Sequence, residues 1–283
     1  MTLDLSTPTP LQYFAVLVRS DEQLPLLEAA ASLAQDEYPE LDVQQVLGDM
    51  DHLAARLRRR AAPEAPALDR LRALGQFFFG DLGFGGNVND YYNPDNSHLH
   101  VVLRTRRGIP ISLAVLWLEL ARGLNLRAEG VGFPGHFLVQ VRLGEGRVVI
   151  DPFTGQSLSQ DELRERIDEL SPRQPFHPAR DVPLALYLGA AEPRQILARM
   201  LRNLQDIHRS QQDWPRFVAV QDRLVTLLPS AWPEYRDRGL ALAELGERRR
   251  ARLDLSLYLR EALDADDRQA MAERLADLGG RLA

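Results

Sequence analysis

The chain has 283 residues, no cysteine, 34 basic and 40 acidic side chains, and a formal net charge of −6. Every basic residue is arginine, so lysine is absent too. These two gaps exclude disulfides, thiolate nucleophiles, Cys-held iron–sulfur clusters and Cys-ligated zinc on one side, and Schiff-base and P-loop chemistry on the other.

Residues 1–80 read as mostly helical. Thr9-Pro10 is a cap followed by proline, which opens a helix to about Arg19. Ser20 to Gln23 has capping-box spacing and predicts a second helix start. Asp42 caps a third, with Val43, Val46, Leu47, Met50, Leu53 and Leu57 on one face. A further apolar stripe runs from Leu68 to Phe78.

From Gly80 to Ser97 the periodicity breaks into a glycine-rich loop and a polar run, long enough for a structureless connection to suggest that it shapes a site. Ser97 is placed as the cap of a short helix to about Thr105. Gly108-Ile109-Pro110 opens a helix whose apolar residues run nearly all round, the pattern of a buried central helix. The period then falls to two, with candidate strands at 127–133, 136–143 and 147–151 and a hairpin at Gly144-Glu145-Gly146. Ser159 to Glu162 starts another helix.

A Pro-rich linker, Pro172 to Pro183, precedes a helical C-terminus. There Leu201, Leu204, His208, Phe217 and Leu224 stand 34 residues ahead of Tyr235, Arg238, Leu242, Ala251 and Tyr258. A 34-residue period of paired helices is the tetratricopeptide signature, and unrelated helical hairpins are the alternative.

Three features carry the chemistry: the helix start at Gly108 to Ala114, His136 at a strand start, and Asp151 closing the next strand. This is the order of a Cys-His-Asp enzyme, in which a helix N-terminus lowers the nucleophile's pKa, histidine is the base and the acid orients it. The alternative is a His and an Asp that merely end strands; spacing alone leaves both readings open.

Gln35 to Pro39, Asn89 to Pro94, Arg107 to Ala114, Gly130 to Phe137, Ile150 to Phe153, Arg236 to Leu240 and Asp254 to Leu259 together resemble a known family. It is the bacterial transglutaminase-like proteins with C-terminal tetratricopeptide repeats, named for the Sir B regulator of virulence-gene expression. The resemblance covers about residue 25 to 265 and implies an α+β fold. Its parts are a helical N-terminal segment (1–80), a small transglutaminase/papain-like core with antiparallel strands (81–175), a linker (176–192) and all-α tetratricopeptide-like repeats (193–283). Within the matching stretches, Asn89, Asp90, Tyr91, Tyr92 and Arg236 are the candidate binding residues.

The chain departs from active members of this group, which often read Gly-x-Cys with alanine four residues after the cysteine. Gly108 and Ala114 set that frame and put Pro110 at the nucleophile position, while His136 and Asp151 match the base and the acid. Ser112 is the obvious substitute. Two residues along a helix turn a side chain by about 200° and advance it by about 3 Å, which takes Ser112 off the face of position 110 and toward the exposed amides of the first turn.

A two- or four-residue hairpin loop makes His136 and Asp151 diagonal neighbours, whereas a three-residue loop puts them on opposite faces. His98 and His100, placed on a helix start, are expected to diverge, which argues against a zinc pair. The polar run 87–95 lacks the glycine and glutamate of an EF-hand. Arg248-Arg249-Arg250 at a helix start is either a solvated turn or a contact for an acidic partner.

The resulting expectation is a non-catalytic, regulatory or binding protein that takes a protein or peptide partner through its C-terminal repeats. A Ser-His-Asp hydrolase or acyltransferase using Ser112 is the alternative. No cofactor and no metal are implied. The acidic balance argues against nucleic acid, no run of about 18 apolar residues argues for a membrane span, and Met1 to Leu5 lacks a basic, apolar leader, the reading of a cytoplasmic protein.

Overall fold

The computed structural model describes residues 8–61, 64–144, 146–170 and 182–279. Most of the Pro-rich linker therefore lies outside the described residues. The chain divides into two compact units. One is 1–24, 35–39 and 198–283; the other is 25–34 and 40–197.

Helix α1 (Pro10–Leu17) starts as expected, because Thr9 and Gln12 cap each other reciprocally. Helix α2 (Leu26–Ser32) does not start at Ser20; Pro25 stands at its N-cap. The ring of Pro25 disfavours helical backbone at Leu24, so the capping-box spacing at Ser20 has no helix to cap. Asp42 caps α3 (Val43–Arg58) by accepting from the Gln44 amide. The Leu68 stripe forms α4 (Ala67–Gly75), which widens into a π-helical turn over Gln76–Asp81 that buries Phe77 and Phe78.

Strand β1 (Gly85–Gly86) emerges from the glycine loop. A 3-10 turn at Pro94–Ser97 is capped by Asn93, and α5 (Leu99–Thr105) follows with His98 at its N-cap. Ser97 is thus the end of that turn and not the helix cap. Arg106 takes a left-handed conformation at the C-terminus of α5 and redirects the chain into β2 (Arg107–Gly108), which pairs parallel with β1.

Helix α6 (Pro110–Gly123) buries ten of its 14 residues, as its all-round apolar pattern requires. The sheet that follows runs in sequence order and is antiparallel throughout: β3 (Ala128–Val131), β4 (Leu138–Leu143), β5 (Gly146–Ile150) and β6 (Ser157–Leu158). Strand β4 is buried on both faces. Leu138 joins Val149 in a cluster with Leu163 and Ile167 of α7 (Gln160–Leu170), and Val139 and Val141 alternate to the other face, where α6 packs on β3 and β4. Ser159 and Glu162 form the expected capping box at the start of α7. The short α8 (Leu184–Tyr187) adds Leu184 and Tyr187 to the same cluster.

Four helices then alternate as two hairpins: α9 (Pro193–Ser210) with α10 (Trp214–Leu227), and α11 (Trp232–Glu244) with α12 (Arg248–Glu261). The second of each pair starts 34 residues after its counterpart, at Trp214 and Arg248. Helix α13 (Arg268–Gly279) packs on α12. Gly239 is needed where α11 meets α12, because a Cβ there would lie 3.0 Å from Leu255. Arg238 occupies a position that is apolar in the first repeat; its half-buried guanidinium lies between Asp222 of α10 and Asp254 of α12, at 2.7–2.8 Å. Helix α1 packs on α10 within this unit.

Candidate functional site

The site is built by a hairpin register and a turn. Strands β4 and β5 pair Leu143 with Gly146 and Val139 with Ile150, so two residues separate the strands and position 138 falls opposite 151. His136, two residues further back, is the diagonal neighbour of Asp151, as a two-residue loop requires. His136 itself lies in the turn before β4, where Gly135 is left-handed (φ +65°) and the His136 amide donates to the Phe133 carbonyl.

The imidazole Nε2 is 2.8 Å from Asp151 Oδ1. A carboxylate only accepts, so the ring donates from Nε2. The His136 side chain is 23% exposed, against 2% for Asp151, which leaves the imidazole reachable and the carboxylate enclosed. Asp151 Oδ1 also accepts from the Phe153 amide at 2.9 Å, closing an Asx turn. Its Oδ2 takes both terminal nitrogens of Arg166, from α7, at 3.2 Å each. Burial pushes the Asp151 carboxyl upward, but the bond from His136, the Phe153 amide and the Arg166 guanidinium outweigh it and hold it below the ordinary carboxylate range.

At the head of α6, Pro110 is buried and Ser112 fully so. The Ser112 hydroxyl accepts from the Ile109 amide at 3.2 Å and gives its proton to the Asn96 carbonyl at 2.6 Å. Gly108 makes room for it, since a Cβ there would stand 2.7 Å from Ser112 Oγ. The Gly108 to Ser112 stretch thus joins the helix start to the polar run through backbone groups.

That run is organised around Asn96, a buried residue that sequence reasoning did not single out. Its amide donates to the carbonyls of Asp90 (2.6 Å) and Tyr91 (3.1 Å), and its Oδ1 accepts from Asn87 (2.9 Å). One asparagine among several in a polar stretch carries no local signal of this role. Asp90 in turn accepts from Asn93 at 2.8 Å. Tyr91 and Tyr92 pack edge to face and are 42% and 76% exposed. The Phe153 ring stands 6.0 Å from Tyr91 and 6.5 Å from His136, so an aromatic bridge leads from the loop to the imidazole. Asn89 lies on the wall of a hollow of about 630 Å³ with Phe79, Phe84, Val88 and Arg107.

Arg236 does not join these residues. Its guanidinium is spent on Asp237 and Asp267 at 2.8 Å each and lies over the Tyr258 ring in the repeats. His98 and His100 do not diverge as expected: their rings are 6.2 Å apart, because the chain is extended at His98 and enters α5 only at Leu99. Among the described residues no group of three or more His, Asp or Glu side chains is arranged to hold a metal. The Gln35 to Pro39 stretch supplies Asp36 to Arg223 and Glu37 to His208 and Arg216, all within the unit that holds the repeats.

Comparison with known proteins agrees with the architecture of the chain. Residues 44–202 match the transglutaminase-like superfamily and residues 204–276 match the tetratricopeptide repeat. The chain is 40% identical over 240 residues to a UPF0162 protein of Xylella fastidiosa, covering 84% of each chain. It is 28% identical over 254 residues to a UPF0162 protein of Pseudomonas aeruginosa, covering 89% of this chain and 90% of that one. F-box only protein 21 of Mus musculus is 34% identical over 143 residues, which is 47% of this chain and 21% of that protein. No solved structure matches. No helix among the described residues is long and apolar enough to cross a membrane. The chain belongs to the transglutaminase-like superfamily, in a form that carries tetratricopeptide repeats at its C-terminal end.

Proposed function

We propose that the protein is a non-catalytic, regulatory binding protein. In this reading its transglutaminase-like domain lacks a nucleophile and its tetratricopeptide repeats hold a protein or peptide partner. One observation carries the reading: an intact base and orienting acid, His136 and Asp151, in a chain whose frame has proline at position 110. A base with nothing to deprotonate has no acyl-transfer chemistry to perform. The bonds of Ser112 favour this reading over a Ser-His-Asp hydrolase, because the hydroxyl proton and a lone pair are already engaged with Asn96 and Ile109. The loop at Asn89 to Tyr92 and the partly exposed His136 ring then serve recognition.

The purified chain is expected to show no amidase, protease or glutamine-to-amine transfer above the buffer rate, and no labelling of Ser112 by a fluorophosphonate. Labelling that appears at Ser112 and disappears in His136→Ala would overturn the proposal. Partner binding through the repeats is expected to survive His136→Ala.

A further inference from the structure

Arginine in the repeats is spent on carboxylates almost everywhere. Arg202, Arg209, Arg223, Arg236, Arg238 and Arg250 each hold an Asp or Glu. Arg249 and Arg252 form no ion pair or side-chain hydrogen bond among the described residues, although the chain has six more acidic than basic groups. Both are exposed. They stand three apart on α12, on the stripe that continues through Leu253 and Ser256 at helical spacing. Leu253 is 65% exposed. With Arg248 these residues border a hollow of about 370 Å³, closed on its other side by Leu278 and Gly279 of α13.

The placement works against the helix. Three arginines in succession open α12, where the positive end of the helix dipole disfavours cations, and packing does not use Arg249 or Arg252. Two guanidiniums that are unpaired among the described residues, beside an exposed leucine and a hollow, present positive charge and apolar surface together. The matching surface is negative and carries an apolar side chain.

We propose that this face of α12 docks an acidic peptide segment of a partner protein, with carboxylates on Arg249 and Arg252 and an apolar side chain seated against Leu253 and Leu278. The proposal deepens, and rests on, the reading of the repeats as a protein-binding module.

Fluorescence anisotropy of the full chain with a labelled peptide of alternating Glu and Leu, and with its Gln–Leu counterpart, tests it. The Glu–Leu peptide is expected to bind at least about tenfold more tightly than the neutral one, and to weaken as salt is raised. Arg249→Glu with Arg252→Glu is expected to weaken it by about tenfold or more, with unchanged circular dichroism and melting. Leu253→Ser is expected to weaken it severalfold. Arg260→Glu, on the same helix but already paired with Glu261, is expected to leave it unchanged.

Equal binding by the double variant overturns the assignment to this face while leaving the repeats as a binding module. Absence of binding to the intact chain overturns the proposed ligand. Binding that appears only after removal of residues 280–283 gives the hollow to the chain's own last residues and overturns the partner. Catalytic activity, which would defeat the reading of the core domain, moves none of these measurements.

Discussion

Ser112 and His136 lie in the same transglutaminase-like region and differ in their surroundings. Ser112 is fully buried and ties the α6 start to the polar run, whereas the His136 side chain is only partly buried. Ser112→Ala leaves the Ile109 amide and the Asn96 carbonyl only their own long bond of 3.4 Å, and is expected to cost about 1–3 kcal/mol in urea denaturation. Asp151 gives a pH signature. Its folded pKa is depressed, so the stability it contributes is complete above the ordinary carboxylate value near about pH 4 and is lost as pH falls through the lowered folded value. Asp151→Asn is therefore expected to flatten the acid limb of a stability–pH curve measured by denaturation. The turn of Ser112 toward a backbone amide at the helix start was legible in the sequence from helix geometry, whereas the approach of His136 to Asp151 hung on a loop length that spacing left open. The roles of Arg166 and Asn96 were not legible. Arg166 reaches Asp151 from 15 residues away and Asn96 reaches Ser112 from 16, and nothing local distinguishes either from its polar neighbours.

At the scale of elements, the hairpin shows how little the outcome depends on composition. Moving from a two-residue to a three-residue loop would leave every residue type in place and turn His136 away from Asp151. The caps of α1, α3 and α7 could be read because each is a local exchange of side-chain and backbone hydrogen bonds. The false start at Ser20 shows the limit, since Pro25 overrides it from five residues downstream. The pairing of β1 with β2 was hidden for another reason: its strands are two residues each, too short for any period to appear. Gly86 in that pair is tightly confined, because a Cβ would lie 2.2 Å from the Phe153 ring. Gly86→Ala must displace Phe153, the ring between His136 and Tyr91. It is expected to destabilise the chain by about 1–3 kcal/mol and to shift the His136 ring signals in NMR spectra.

At the scale of the molecule, the compact units do not follow chain order. Residues 35–39 belong with the repeats, and Asp36 meets Arg223 across 187 residues of sequence, at 2.5 and 3.0 Å. The Arg223 side chain is 1% exposed and also lies over the Phe14 ring of α1. Asp36→Ala strands a buried guanidinium and is expected to cost about 3–5 kcal/mol by denaturation, while Arg223→Met in the same chain recovers most of it. The alternation of repeats was legible at a distance because it recurs every 34 residues. The Asp36–Arg223 pair was not, since it is made once and depends on the path of the whole chain.

Because the chain has no cysteine, position 110 is directly measurable. Pro110→Cys creates a single thiol, whose alkylation by iodoacetamide can be followed against pH. If the frame is correctly read, that thiol reacts with a pKa well below the ordinary value of about 8.5, and His136→Ala in the same chain moves it back up. A thiol that titrates at the ordinary value and ignores His136 would contradict the assignment of Pro110 to the nucleophile position.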